Sequence, residues 1–151
     1  MNESGREKRK RTGVRFTETM RGHWAAQPSL DFAPARQWGQ KNGSAFEFTL
    51  TVTIDDVDAV ISDPRVPGRL EGMASAPLLS PDPLRVDDGT FRLFVRDADK
   101  VATRRMEYEM DMRATDGRVF HMSGYKVLRD DFGFDMWSDT TTLYVTVTDG
   151  P

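Results

Sequence analysis

The sequence predicts an all-β fold: about eight mostly antiparallel strands in a meander barrel of lipocalin-like form or a β-sandwich, with one short helix. Three observations predict it. Apolar residues recur with period two in segment after segment. The connections between most of those segments are too short to hold a crossover helix, which forces antiparallel neighbours. Turn residues such as Asp-Gly and Pro-Asp-Pro punctuate the chain at short intervals.

Order is expected to begin after residue 12. Residues 1–12 carry Lys8, Arg9, Lys10 and Arg11 in a row, a run that repels itself and has nothing to bury, so it reads as a disordered basic tail. Residues 13–151 read as a single β domain. From Val14 to Trp24 the apolar residues fall at even positions, with Glu18 the exception. Residues 26–44 hold Pro28, Pro34, Gly39 and Gly43 among polar residues and read as a long connection.

The clearest strand follows, where Phe46, Phe48, Leu50, Val52 and Ile54 alternate with Glu47, Thr49, Thr51, Thr53 and Asp55. Asp55 or Asp56 then suits a helix N-cap, and Val57, Val60 and Ile61 have helical spacing, closed by Asp63-Pro64. A strand is expected within Arg69 to Leu79, a turn at Pro81-Asp82-Pro83, a short strand from Leu84 to Val86 and a tight hairpin turn at Asp87-Asp88-Gly89. Phe91, Leu93 and Val95 alternate next. Met106, Tyr108, Met110 and Met112 alternate with Arg105, Glu107, Glu109, Asp111 and Arg113. Asp116-Gly117 makes a second hairpin turn, so Val119 to Leu128 pairs back on the preceding strand. Thr140 to Thr148 is the last strand, with Leu143, Val145 and Val147 inward.

With 151 residues the chain can bury about two-thirds of its unfolded surface. A net charge of −3 argues against nucleic acid as a partner, since proteins that bind it usually show a net basic face. Cysteine is absent, which excludes disulfides, thiolate metal sites and a Cys nucleophile and leaves a cytoplasmic location as the expectation. No stretch approaches the ~20 apolar residues of a transmembrane segment, and the basic start is not followed by the apolar run of a secretory signal.

None of the 12 glycines stands in a Gly-x-Gly arrangement, so neither a dinucleotide fingerprint nor a Gly-rich kinase loop exists. A Walker loop and a Gly-x-Ser-x-Gly nucleophile elbow are also missing. No cofactor, metal or catalytic residue is assigned on this reading. Of the two histidines, His23 faces away from Trp24, and His121 shares a face with Val119 and Tyr125. A small barrel enzyme, an isomerase, cyclase or hydrolase using His121, Lys126 or the acidic loop, is the alternative, with Ser123 or Ser138 as its nucleophile.

The loop Arg129 to Asp139 has four aspartates, at 130, 131, 135 and 139, with Phe132, Phe134 and Trp137 interleaved. Its spacing is not that of an EF-hand, and solvated acids around a packed loop suit it better. Trp137 and Phe134 would cap a barrel mouth. Met106, Met110 and Met122, with Met20 and Met73, suit a core or a cavity for an irregular apolar ligand. Lys126 breaks the apolar row of Phe120, Met122 and Gly124, and would reach a ligand carboxylate or snorkel outward. The candidate ligand-binding residues are therefore Met106, Tyr108, Met110, Met122, Lys126 and Trp137.

The runs Arg105-Met106-Glu107-Tyr108, Ser123-Gly124-Tyr125-Lys126-Val127 and Asp135-Met136-Trp137-Ser138-Asp139-Thr140-Thr141-Thr142-Leu143-Tyr144, with Phe16-Thr17-Glu18-Thr19-Met20-Arg21-Gly22 at the start, resemble a β-rich module of large bacterial proteins. There the module accompanies flavin oxidoreductases of the glucose–methanol–choline type, the cholesterol-oxidase-like enzymes, and some α/β-hydrolase domains. The resemblance covers nearly the whole chain after residue 13. It implies a non-catalytic accessory domain of lipid or sterol metabolism that binds an apolar small molecule or docks on such an oxidoreductase or hydrolase. The flavin-binding glycines and the histidine-bearing substrate domain of those enzymes have no counterpart here, so flavin binding and oxidation do not carry over.

Overall fold

The computed structural model describes residues 10–27, 30–63, 65–96, 103–129 and 142–151, with the backbone alone at 93–96, 103, 104, 128 and 129. The loop from Asp130 to Asp139, including Trp137, Phe134 and Ser138, lies outside the described residues, as does the basic tail up to Arg9.

Seven strands form one sheet in chain order: β1 (Val14–His23), β2 (Ala45–Ile54), β3 (Gly68–Ser75), β4 (Leu84–Arg96), β5 (Thr103–Arg113), β6 (Val119–Arg129) and β7 (Tyr144–Asp149). Every neighbouring pair is antiparallel. A single continuous sheet replaces the sandwich alternative, and it curls into a half-barrel. One hydrogen bond measures the curl. Tyr108 on β5 donates to Glu18 on β1 across 2.8 Å, whereas a flat sheet would set those strands about 19 Å apart, at ~4.8 Å per step.

The period-two rows point as the sequence predicts. Phe48, Leu50, Val52 and Ile54 of β2 and Met106, Tyr108, Met110 and Met112 of β5 are each at most 2% exposed, in one shared core. Their alternates face water. On that outer side Thr17 bonds Thr51 and Thr19 bonds Thr49, cross-strand pairs that tie β1 to β2. Met73 is the methionine that departs from the interior set; it turns outward and is 44% exposed.

Among the described residues there are two helices where the sequence predicts one. The short one, α2 (Val57–Ser62), forms as predicted: Asp56 caps it by accepting from the Ala59 N–H, and Val60 is buried against the core. The other, α1 (Phe32–Asn42), corrects the reading of 26–44 as a connection. Pro34 sits in its first turn, where a missing N–H breaks no helical bond. Gly43 ends it in the left-handed conformation at φ 69°. Gly39 faces the chain at Trp24, and a Cβ there would lie 2.6 Å from the Trp24 carbonyl oxygen. The absence of a side chain lets the helix lie on the end of β1.

The second correction concerns Asp87-Asp88-Gly89, which is not a turn. These residues lie inside β4, where the register with β5 shifts between Arg85 and Thr90. Gly89 is there for space: a Cβ would meet the Leu70 Cβ at 2.7 Å and the Met110 Cβ at 3.1 Å. The Asp116-Gly117 turn stands as read, with Gly117 at φ 91° and Asp116 accepting from the Arg118 backbone N–H. It sets the β5–β6 register, which pairs Arg113 with Val119 and runs unbroken to Thr103 and Arg129.

Candidate functional site

The β5–β6 register stacks four rows on the inner face: Met106 opposite Lys126, Tyr108 opposite Gly124, Met110 opposite Met122 and Met112 opposite Phe120. Five of the six predicted ligand-binding residues therefore adjoin one another, and the sixth, Trp137, is outside the described residues. Met106, Tyr108, Met110, Met122 and Lys126 are between 0% and 4% exposed. Phe91 of β4 packs edge-on against the Tyr108 ring, with centroids 5.2 Å apart.

Lys126 does not snorkel out. Its Nζ donates to Glu18 Oε2 at 2.9 Å, and the Tyr108 hydroxyl donates to Glu18 Oε1 at 2.8 Å. One carboxylate from β1 thus takes one donor on each oxygen, from β6 and from β5. The Lys126 ammonium also lies 5.5 Å from the centre of the Tyr108 ring. Burial raises the Tyr108 pKa far above that of a free phenol, and the charge and hydrogen bond of Glu18 raise it further. The phenol therefore stays protonated at physiological pH and serves as a donor, not as a base.

Glu18 is the residue that sequence reading left unassigned. It was visible as the one break in the alternation of β1, and Lys126 as the break in β6. Two breaks of opposite charge on inner rows were the available signal. Their pairing across 108 positions needs the curl of the sheet.

The inner rows beside the seam between β1 and β7 are less deeply covered than the rest. Phe16, Met20, Trp24, Leu143, Val145 and Val147 pack against the core yet are only partly buried. Along β1 the row runs Glu18, Met20, Gly22, Trp24. Among the described residues a Cβ built at Gly22 would meet no atom within 4 Å, so the row has open space there. The Trp24 indole N–H is buried and has no acceptor among the described residues. Its backbone is fixed, since the Trp24 N–H donates to the Ser44 carbonyl and the Ser44 hydroxyl to the Trp24 carbonyl.

On the outer face of β5 and β6 lies a second polar cluster. His121 Nδ1 faces Asp111 at 2.8 Å, and its Nε2 faces Glu109. The Ser123 hydroxyl donates to Glu109, not to His121. Both ring nitrogens are engaged by carboxylates, so His121 has no free nitrogen to take the Ser123 proton, and the nucleophile–base contact of a serine triad is not formed. Among the described residues no group of three or more acids and histidines is arranged to hold a metal ion.

The Asp111 hydrogen bond raises the His121 pKa, and the bond to Glu109 and both negative charges add to it, against the opposing effect of burial. A raised folded pKa means that protonated His121 stabilises the fold. That contribution is complete below the unfolded value of ~6.5 and disappears as pH rises through the folded value. The wild type should therefore lose more stability between pH 6 and pH 9 than His121→Gln, in urea midpoints measured side by side. Parallel profiles would refute this assignment.

Near the same face, Tyr125 and Tyr144 pair across β6 and β7, Phe32 of α1 reaches both rings, and the Arg105 guanidinium stacks 4.2 Å over Tyr125. Phe32 and Gly39 thus tie α1 to both sides of the seam.

Fold and site together define a curled antiparallel half-barrel with an ion pair and a phenol buried in a methionine-rich interior. Comparison with protein-family profiles, curated proteins and solved structures finds no match for the chain. No helix among the described residues is long and apolar enough to cross a membrane.

Proposed function

We propose that this domain is a non-catalytic binding module that takes an apolar small molecule along the inner row of β1, in an accessory role within lipid or sterol metabolism. Its enzymatic partner is a separate flavin oxidoreductase or α/β-hydrolase, as the sequence resemblance implies. One observation carries the binding reading: the row from Glu18 to Trp24 combines partly covered apolar side chains with open space at Gly22. Further along the same row, the buried Trp24 indole N–H has no acceptor among the described residues, and buried donors are usually satisfied. Methionine side chains behind the row can repack around an irregular hydrocarbon.

The test is a titration of the full chain with 1-dodecanol, followed by native mass spectrometry and intrinsic tryptophan fluorescence. A saturable one-to-one complex is expected. Gly22→Phe fills the open space with a ring and should abolish the complex while leaving the far-ultraviolet spectrum unchanged. Absence of a complex, or equal binding by Gly22→Phe, would remove the proposal.

A further inference from the structure

We infer that Glu18 occupies the place of a ligand's acidic head group, and that the ligand class is an apolar carboxylic acid which exchanges with Glu18 at Lys126 and Tyr108. This rests on the apolar-ligand reading above and adds the chemistry of the head group.

The geometry is that of a carboxylate site. Two donors, the Lys126 ammonium and the Tyr108 hydroxyl, converge on the two oxygens of one carboxylate at 2.9 and 2.8 Å. Both donors come from neighbouring strands that are each paired on both sides, and both are almost fully buried, Tyr108 at 0% and Lys126 at 4% exposure. The acceptor comes from β1, which is paired through β2 alone. The donors are thus held by strands paired on both sides, and the carboxylate by an edge strand paired on one. Two donor groups set on the two oxygens of one planar carboxylate match the two-oxygen shape of that head group.

A buried ammonium cannot be left without a counter-charge, so the empty site must be filled from within. Glu18 does this. When an acid with a hydrocarbon tail enters, its carboxylate takes the two donors, and Glu18 turns to the solvent that already reaches part of it; its side chain is 18% exposed. The tail follows the row past Met20 and the open space at Gly22 towards Trp24. At the ~3.3 Å rise of a strand, Glu18 to Trp24 spans about 20 Å, enough for a long alkyl chain. No bond is made or broken in this exchange, and no proton is transferred.

Because Glu18 competes for the donors, removing its charge should strengthen acid binding and leave neutral ligands unaffected. The experiment compares dodecanoate with 1-dodecanol on wild type and Glu18→Gln, at pH 8 and micromolar ligand. Hydrogen bonds to a charged group are strong enough that dodecanoate affinity should rise about tenfold or more in Glu18→Gln. Dodecanol affinity should stay within about twofold, since it displaces no charge. Glu18→Asp, one methylene too short to serve both donors, keeps a negative charge for Lys126; it should give a smaller rise and covers the case in which Glu18→Gln fails to fold. If the two ligands respond alike, or dodecanoate does not tighten, the head-group inference is overturned and the apolar-ligand reading stands. If neither ligand binds either protein, both fall.

Discussion

Replacing Glu18 by leucine should destabilise the fold by about 3–5 kcal/mol, the usual consequence of leaving one member of a buried ion pair without its partner. Lys126 has a side chain only 5% exposed, so water cannot take the place of the lost carboxylate. Tyr108 loses its acceptor in the same step. Leucine itself suits the position, since it restores the alternation of Phe16 and Met20; the penalty therefore belongs to the orphaned lysine and not to misfit. The double variant Glu18→Leu/Lys126→Met removes both charges and should come back to within about 1 kcal/mol of wild type, or exceed it. Chemical denaturation of the wild type, both single variants and the double variant gives the coupling between the two sites directly. A Glu18→Leu protein within about 1 kcal/mol of wild type would show that solvent reaches Lys126 and that the ammonium does not depend on Glu18 for its counter-charge.

The same pair shows where sequence reading stops. β2 and β5 were legible because each inner residue is apolar and each outer one polar, so local pattern and tertiary environment agree. Lys126 was legible as an anomaly and Glu18 as another. What joins them is the curl of a seven-stranded sheet, a property of no single strand. The helix α1 was illegible for a different reason. Its inward stripe is only Ala35, Trp38 and Gly39, and Pro34 and Gly39 argue locally for a loop. Contact between Gly39 and the Trp24 backbone decides the matter, and that contact is tertiary. At Asp87-Asp88-Gly89 a turn-like triplet is carried within β4 as an irregularity, where the register with β5 shifts between Arg85 and Thr90 and Gly89 pairs with Leu70, a place with no room for a Cβ between Leu70 and Met110. The His121 cluster was half legible: alternation put His121 on the outer face, and the register from the Asp116-Gly117 turn sets it opposite Asp111. Trp137 falls outside the described residues.

Gly72→Ala should be the most damaging conservative change among the glycines, by about 3 kcal/mol or more, and a short series separates its two causes. Gly72 lies where the pairing of β3 with β4 shifts register between Leu70 and Gly72. Its φ of 151° is in the range that L side chains rarely adopt, and a Cβ there would come 2.1 Å from the Thr49 carbonyl oxygen and 3.1 Å from the Leu50 Cα. Both obstacles are backbone of β2, so relief requires moving a strand that carries a deeply buried row of the core. Gly117→Ala isolates the conformational part. Gly117 has φ 91° but open space around the missing Cβ, and its replacement should cost about 1 kcal/mol. Gly22→Ala has neither burden, since no atom lies within 4 Å and its φ is not positive, and it should be neutral to about 0.5–1 kcal/mol stabilising. Thermal and urea unfolding of the three variants should therefore rank Gly22→Ala above Gly117→Ala above Gly72→Ala. If Gly72→Ala proves no worse than Gly117→Ala, β2 and β3 are not pressed together at the bulge. The curl that brings Glu18 over Tyr108 and Lys126 would then need a different origin.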